Sequence, residues 1–88
     1  MSSAEQSHER VCLGELRPGD TARIHSIEDT ADRAIRLRLL EMGLVPGTPI
    51  RLERRAPLGD PLEISIRGYA LTLRKSEAAL IRTEANLD

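Results

Sequence analysis

The stretch LEISIRGYALTLR, residues 62–74, alternates aliphatic with polar or small residues on both sides of a glycine. A period of two is typical of strands that bury one face. If Gly68 and Tyr69 form a two-residue loop, Ile66 pairs with Leu71 and the aliphatic side chains share one face. The sequence therefore predicts a β-hairpin, and a sheet that must bury this face.

Further alternating or aliphatic segments predict strands at 21–27, 49–55 and near 79–83. Pro-Gly turns at 17–20 and 45–48 bound two of them. A sheet this small cannot bury its aliphatic face unless it curls on itself. The predicted fold class is therefore mainly β, a small five-stranded barrel with one inserted α-helix.

The composition indicates a single small domain with an aliphatic core. The 88 residues include no Trp, no Phe and one Tyr. We expect a disordered polar leader over 1–10 and one domain over 11–84. The single cysteine excludes an intrachain disulfide, no apolar run approaches the roughly 20 residues that span a bilayer, and the N-terminus has no secretory pattern. These features predict a cytoplasmic protein without direct membrane insertion.

A helix is predicted over 31–42, with Asp29 or Thr30 as its N-cap and Gly43 just beyond its C-terminus. At about 100° per residue, its apolar residues form two opposed stripes instead of the usual one. The first stripe is Ile35, Leu39 and Met42, and the second is Leu37, Leu40 and Leu44. One stripe packs on the sheet. The other is either covered by the 56–61 loop or the N-terminal segment, or binds another protein or a second copy of this chain.

Three segments, in this order and spacing, resemble the FeoA family of small cytoplasmic proteins of bacterial ferrous-iron uptake. They are LGELRPGD (13–20), RLLEMGLVPGTPI (38–50) and RAPLGDPLEISIRGYALTLRKSEAALI (55–81). The resemblance implies an SH3-like barrel with an inserted helix. It also implies a partner, the FeoB membrane permease with its cytoplasmic GTPase-like domain, which the protein binds or regulates.

The resulting hypothesis is a non-enzymatic adaptor that docks on FeoB and modulates Fe(II) uptake. The docking residues would be apolar positions on and after the helix and one in the following loop, with two arginines at the rim that steer the partner. They are Leu37, Leu39, Leu40, Leu44, Val45, Pro46, Leu58, Arg36 and Arg38.

Catalysis is not expected, because the chain has no nucleophile motif and no phosphate-binding loop. No cofactor is required by this interpretation. A Pro-rich peptide groove is also disfavoured, since such grooves are lined with aromatic residues and only Tyr69, interpreted as an exposed turn residue, could serve.

Two alternatives stay open at the level of sequence. A metal-binding regulatory module would use His8, His25 and Glu28 for Fe(II) or Zn(II), although zinc-site spacing is absent and adventitious surface binding is favoured. A nucleic-acid-binding barrel would use the ten basic residues of 33–82, a segment that contains only five acidic residues. The net charge of −1 and the missing stacking aromatics oppose it, so no nucleic acid is expected as partner. A weak homodimer through the helix is the remaining expectation for partners.

Overall fold

The computed structural model describes residues 8–86, and the side chains of residues 10–85. One antiparallel sheet has the strand order β1-β6-β2-β3-β4-β5, so that β1 and β5 are its edges. The strands are β1 (His8–Cys12), β2 (Thr21–Ile27), β3 (Pro49–Arg55), β4 (Leu62–Ile66), β5 (Tyr69–Leu73) and β6 (Ile81–Asn86). Helix α1 (Arg33–Glu41) lies between β2 and β3, and the short α2 (Lys75–Ala78) lies between β5 and β6. A 3-10 turn covers Leu13–Glu15.

The mainly β prediction with an inserted helix is confirmed, whereas the count of five strands is wrong. The extra strand is β1, which pairs along its whole length with β6. Residues 8–10 therefore belong to the sheet and not to a disordered leader. These three residues are all polar, so the sequence shows no alternation of apolar and polar residues there. The strand is recognised only by its pairing with β6. The rest of the predicted leader, residues 1–7, lies outside the described residues.

The core is aliphatic, as the composition predicts. Its fully buried side chains come from every layer of the fold, so the sheet and α1 enclose one continuous apolar interior. They include Leu13, Ile24, Leu39, Leu44, Leu52, Leu62, Ile64, Ile66, Leu73 and Ile81. Among the described residues, no buried side-chain nitrogen or oxygen lacks a hydrogen-bond partner.

The β4–β5 hairpin exists, but its loop is not the predicted one. The loop residues are Arg67 and Gly68, with φ of 50° and 86°, and Ile66 pairs with Tyr69. Positive φ at both positions is the signature of the type I′ turn, whose twist matches that of the strands. The register therefore differs from the prediction by two residues on β5. Because the side-chain period is also two, the aliphatic residues still share one face.

Helix α1 begins two residues later than predicted, and neither Asp29 nor Thr30 is its cap. The carboxylate of Asp32 accepts a hydrogen bond from the Ile35 amide at 2.9 Å, which makes Asp32 the N-cap. Residues 28–31 instead form a turn, which is closed by a hydrogen bond from the Ala31 amide to the Glu28 carbonyl. Within the described residues, no helix has the length and hydropathy needed to cross a membrane.

The end of α1 follows the prediction. Gly43 has a φ of 100°, its amide bonds the Leu40 carbonyl, and the Leu44 amide bonds the Leu39 carbonyl at 3.1 Å. These two bonds define a Schellman motif, in which the residue after the glycine folds back onto the last helical turn. The predicted Pro-Gly turn at 45–48 follows directly, closed by the Thr48 amide on the Val45 carbonyl.

Candidate functional site

The first apolar stripe of α1 faces the sheet. Leu39 is completely buried, and Ile35 and Met42 are half-buried against the core on either side of it. Leu39 was among the predicted docking residues, and this part of the prediction is wrong. A side chain with no exposed surface cannot contact a partner while the protein stays folded.

The second stripe is divided by the end of the helix. Leu44, predicted as a docking residue, is also completely buried, because the Schellman motif turns it into the core. Leu40 is half-buried against the core, whereas Leu37 is 48% exposed. The helical positions beside Leu37, namely Ala34 and Glu41, are exposed as well. Of the second stripe, Leu37 and the outer part of Leu40 thus remain accessible.

Arg36 has a structural role that differs from the predicted one at the rim of a docking surface. Its guanidinium donates to the carbonyl of Glu28 at 2.8 Å and to that of Ile27 at 3.3 Å. These carbonyls belong to the last residue of β2 and to the residue after it, so Arg36 connects α1 to the end of this strand. Two donors of one guanidinium are used on backbone oxygens, which favours a fixed position for this side chain.

Arg38 lies on the opposite flank of α1 and is accessible. Its side chain is 57% exposed and forms an ion pair with Glu77 of α2. Arg38 is therefore accessible, and its docking role stays a prediction in which an acidic partner group competes with Glu77.

Tyr69 contributes a contact that the sequence did not reveal. It is the first residue of β5, and its hydroxyl donates a 2.7 Å hydrogen bond to the Met42 carbonyl at the C-cap of α1. A Cβ at Gly43 would lie 2.9 Å from the same hydroxyl oxygen. Tyr69 is exposed, as predicted, but it lies in β5 and its hydroxyl ties the hairpin to the end of the helix. No motif in a single sequence signals this contact, because it joins residues 27 positions apart.

The remaining predicted docking residues lie in loops. Val45 is half-buried and Pro46 exposed in the turn after α1. Leu58 is 93% exposed. It lies on a loop whose ends are joined by a 3.0 Å hydrogen bond from the Ala56 amide to the Pro61 carbonyl. Since Leu58 points into solvent, its side chain does not cover the helix.

Two of the predicted metal ligands, His25 and Glu28, line the same surface cleft, and each lies near an oppositely charged or ionisable side chain. The His25 ring nitrogen lies 4.0 Å from the Glu84 carboxylate, which also pairs with Arg10 at 3.2 Å. Glu28 pairs with Arg82 at 3.3 Å. No group of three potential ligands converges within the part of the chain that the structure describes. The side chain of His8 lies outside that part, so the set of His8, His25 and Glu28 stays a prediction.

Comparison with known proteins supports the resemblance to the FeoA family. The FeoA domain model matches residues 11–85. A fusion of Fe(2+) transport protein A with the Fe(2+) transporter FeoB, from Porphyromonas gingivalis, is 42% identical over 72 residues. The match covers 82% of this chain but only 8% of the fusion protein.

Solved structures share the fold. An FeoA-like protein from Clostridium acetobutylicum is 36% identical, with a TM-score of 0.81 and 91% of each chain covered. The zinc complex of FeoA from Stenotrophomonas maltophilia, described as a prokaryotic SH3 domain protein, is 28% identical with a TM-score of 0.74, over 89% of this chain and 99% of that one. The predicted SH3-like fold is thereby confirmed, and the chain belongs to the FeoA domain family, which is related to ferrous-iron transport.

Proposed function

We propose that this protein is a non-enzymatic, cytoplasmic accessory protein of Fe(II) uptake, which binds the cytoplasmic domain of FeoB and modulates transport. The observation that carries the proposal is the fusion protein, in which a relative 42% identical to this chain shares one polypeptide with the transporter. Fusion holds two domains at a high effective concentration, which helps when they act in contact. A domain of the same family then needs a surface for that contact.

The surface that we propose is the docking face, defined as the accessible side of α1 and the turn and loop beside it. Its members are Leu37, Leu40, Arg38, Val45, Pro46 and Leu58. Leu37 and Leu58 are two of the three large apolar side chains exposed among the described residues. Burying such side chains in a partner pocket gives binding energy, and an arginine at the rim steers association. Leu39, Leu44 and Arg36 act behind this face by fixing the helix.

The test is calorimetric titration of the purified FeoB cytoplasmic domain with wild-type protein and with Leu37→Glu. The substitution places a charge where the partner would bury a leucine, and we expect binding to weaken at least about tenfold. Thr21→Glu is the matched control, because it adds the same charge at an exposed strand position away from α1. Leu58→Glu probes the loop in the same way.

Unchanged affinity of a folded Leu37→Glu variant would exclude α1 from the interface. Absence of wild-type binding would overturn the proposal itself. Uptake of radiolabelled Fe(II) by cells that carry the Leu37→Glu variant should fall in parallel with the affinity. Normal uptake despite lost binding would refute the modulating role.

A second candidate function, binding of Zn(II) or Fe(II), is favoured by the zinc complex of the Stenotrophomonas maltophilia relative. His25 is half-exposed and lies near the Glu84 carboxylate, a combination that borderline metals accept. Equilibrium dialysis under reducing conditions tests it. Stoichiometric binding at micromolar metal that is lost in His25→Ala would support a metal role, and binding unaffected by this substitution would exclude His25.

A further inference from the structure

Strand β5 leaves one edge of the sheet unpaired within the described chain, since its only neighbour in the sheet is β4. The type I′ hairpin makes the pair Ile66 and Tyr69 a hydrogen-bonded one, and such pairs alternate along the ladder. Leu71 therefore also bonds to β4. The backbone N–H and C=O groups of Ala70 and Thr72 point away from β4, towards the open edge of the sheet.

Most of the features that normally prevent strand addition are absent from this edge, although β5 is short. Natural edge strands are blunted by lysine, proline, inward-pointing charges or bulges. The five residues of β5, YALTL, contain neither a proline nor a charge, and the β4–β5 register has no shift. The side chains of Ala70 and Thr72 are exposed. The edge is therefore chemically open to another strand.

Space for such a strand exists beside Thr72. A surface cleft of about 630 Å³ lies between β5, α1, α2 and the end of the 56–61 loop. Its lining residues are Arg38, Met42, Asp60, Pro61, Thr72, Arg74 and Glu77. An added strand would lie about 4.8 Å from β5, at the mouth of this cleft. Alternate side chains of the added strand would then enter it.

The charges of the cleft indicate what such a strand should carry. Arg38 pairs with Glu77, and the Asp60 carboxylate accepts the Lys75 amide at 2.9 Å. The Arg74 guanidinium has no hydrogen bond or ion pair with any described residue, and Arg74 is exposed directly after β5. Of the two charged lining residues without an ion pair in the described chain, Asp60 and Arg74, Arg74 is the one directly after β5, where it lacks a counter-charge. A carboxylate on the incoming strand would supply it.

We propose that the β5 edge accepts an extended segment of the partner as a seventh strand. The segment bonds the backbone groups of Ala70 and Thr72 and places an aspartate or glutamate against Arg74. Main-chain bonds give such a mode its affinity, and the side-chain contacts give its specificity. This proposal rests on the proposed function: the segment belongs to the cytoplasmic domain of FeoB, and it binds this protein next to the docking face.

The test uses Thr72→Pro, which removes the outward N–H and sets a ring in the path of the incoming strand. The substitution suits this position, because proline is tolerated at an edge strand where the N–H faces solvent. Thr72→Val is the matched control, since it keeps the N–H and the β-branched shape. In calorimetric titration of the FeoB cytoplasmic domain, we expect Thr72→Pro to bind at least about tenfold more weakly than Thr72→Val. Arg74→Gln should weaken binding several-fold and reduce its salt dependence.

The outcomes separate the two proposals. If wild type binds and Leu37→Glu weakens binding while Thr72→Pro equals Thr72→Val and Arg74→Gln equals wild type, strand addition is overturned and the docking face stands. If wild type does not bind, both fall. Should Thr72→Pro lose its circular dichroism signal, Arg74→Gln decides alone, because it leaves the backbone intact. Sedimentation of the chain by itself is the last check: a dimer that Thr72→Pro dissociates would assign the edge to a second copy and overturn the FeoB segment.

Discussion

The orientation of α1 can be tested by truncating one leucine from each stripe. Leu39 is completely buried, so Leu39→Ala removes apolar contacts and leaves a cavity, at a cost of about 2–5 kcal/mol. Leu37 is 48% exposed, so Leu37→Ala loses at most about half of a leucine's transfer free energy, roughly 0.75–1.5 kcal/mol. The higher helix propensity of alanine offsets part of this second loss.

Against the total stability, this difference is large. A chain of 88 residues has a free energy of unfolding of about 4–13 kcal/mol. Leu39→Ala should therefore lower the midpoint of thermal unfolding by about 8 °C or more, and Leu37→Ala by less than half as much. Urea unfolding followed by far-ultraviolet circular dichroism measures the free energies without relying on tryptophan fluorescence. Equal losses, or a larger loss for Leu37→Ala at unchanged m-value, would refute the orientation of the helix.

Three further predictions concern the end of α1 and the hairpin, each measured by urea unfolding. Tyr69→Phe should lower the free energy of unfolding by about 0.5–1.5 kcal/mol, because the Met42 carbonyl loses its donor; a neutral result would mean that the bond does not form in solution. Gly43→Ala should cost more than Gly47→Ala, since both glycines have positive φ but only the Gly43 Cβ would meet the Tyr69 hydroxyl. The excess should shrink in the Tyr69→Phe background, and a constant excess would refute the steric cause. Arg67→Asn should be more stable than Arg67→Ala by about 0.5 kcal/mol, because both lose the 3.4 Å hydrogen bond to the Thr48 hydroxyl and asparagine tolerates the positive φ of this turn better. Equal stability of the two variants would contradict the type I′ assignment.

Local chemistry explains which parts of the fold were predictable. The end of α1 and the Pro-Gly turns were predicted, because a glycine with positive φ and a proline that cannot continue a helix act within a few residues. The start of α1 was misplaced, since three residues able to cap it stand at positions 29, 30 and 32. Only the turn closed by Ala31 and Glu28 selects the last of them. The hairpin loop was misplaced for a similar reason, because the sequence did not show that Arg67 takes a positive φ.

The candidate site was predictable only in part. The sequence showed two apolar stripes on α1, one more than the helix needs to pack on the sheet. Which stripe faces the sheet depends on contacts between distant elements, such as that of Tyr69 with Met42 and of Arg36 with the end of β2. Strand β1 and the open edge of β5 likewise follow from the pairing of strands. Pairing between residues far apart in the chain leaves no local pattern.

The most direct test of the central claim is a nuclear magnetic resonance titration of the isotope-labelled full chain with the unlabelled FeoB cytoplasmic domain. If the docking face of α1 and the edge of β5 bind this partner, the amide signals of Leu37, Arg38, Ala70 and Thr72 should shift or broaden. Those of the outer strand β1, such as Val11, should stay unchanged. Changes confined to β1 and β6, or no change at partner concentrations that saturate binding, would contradict the account.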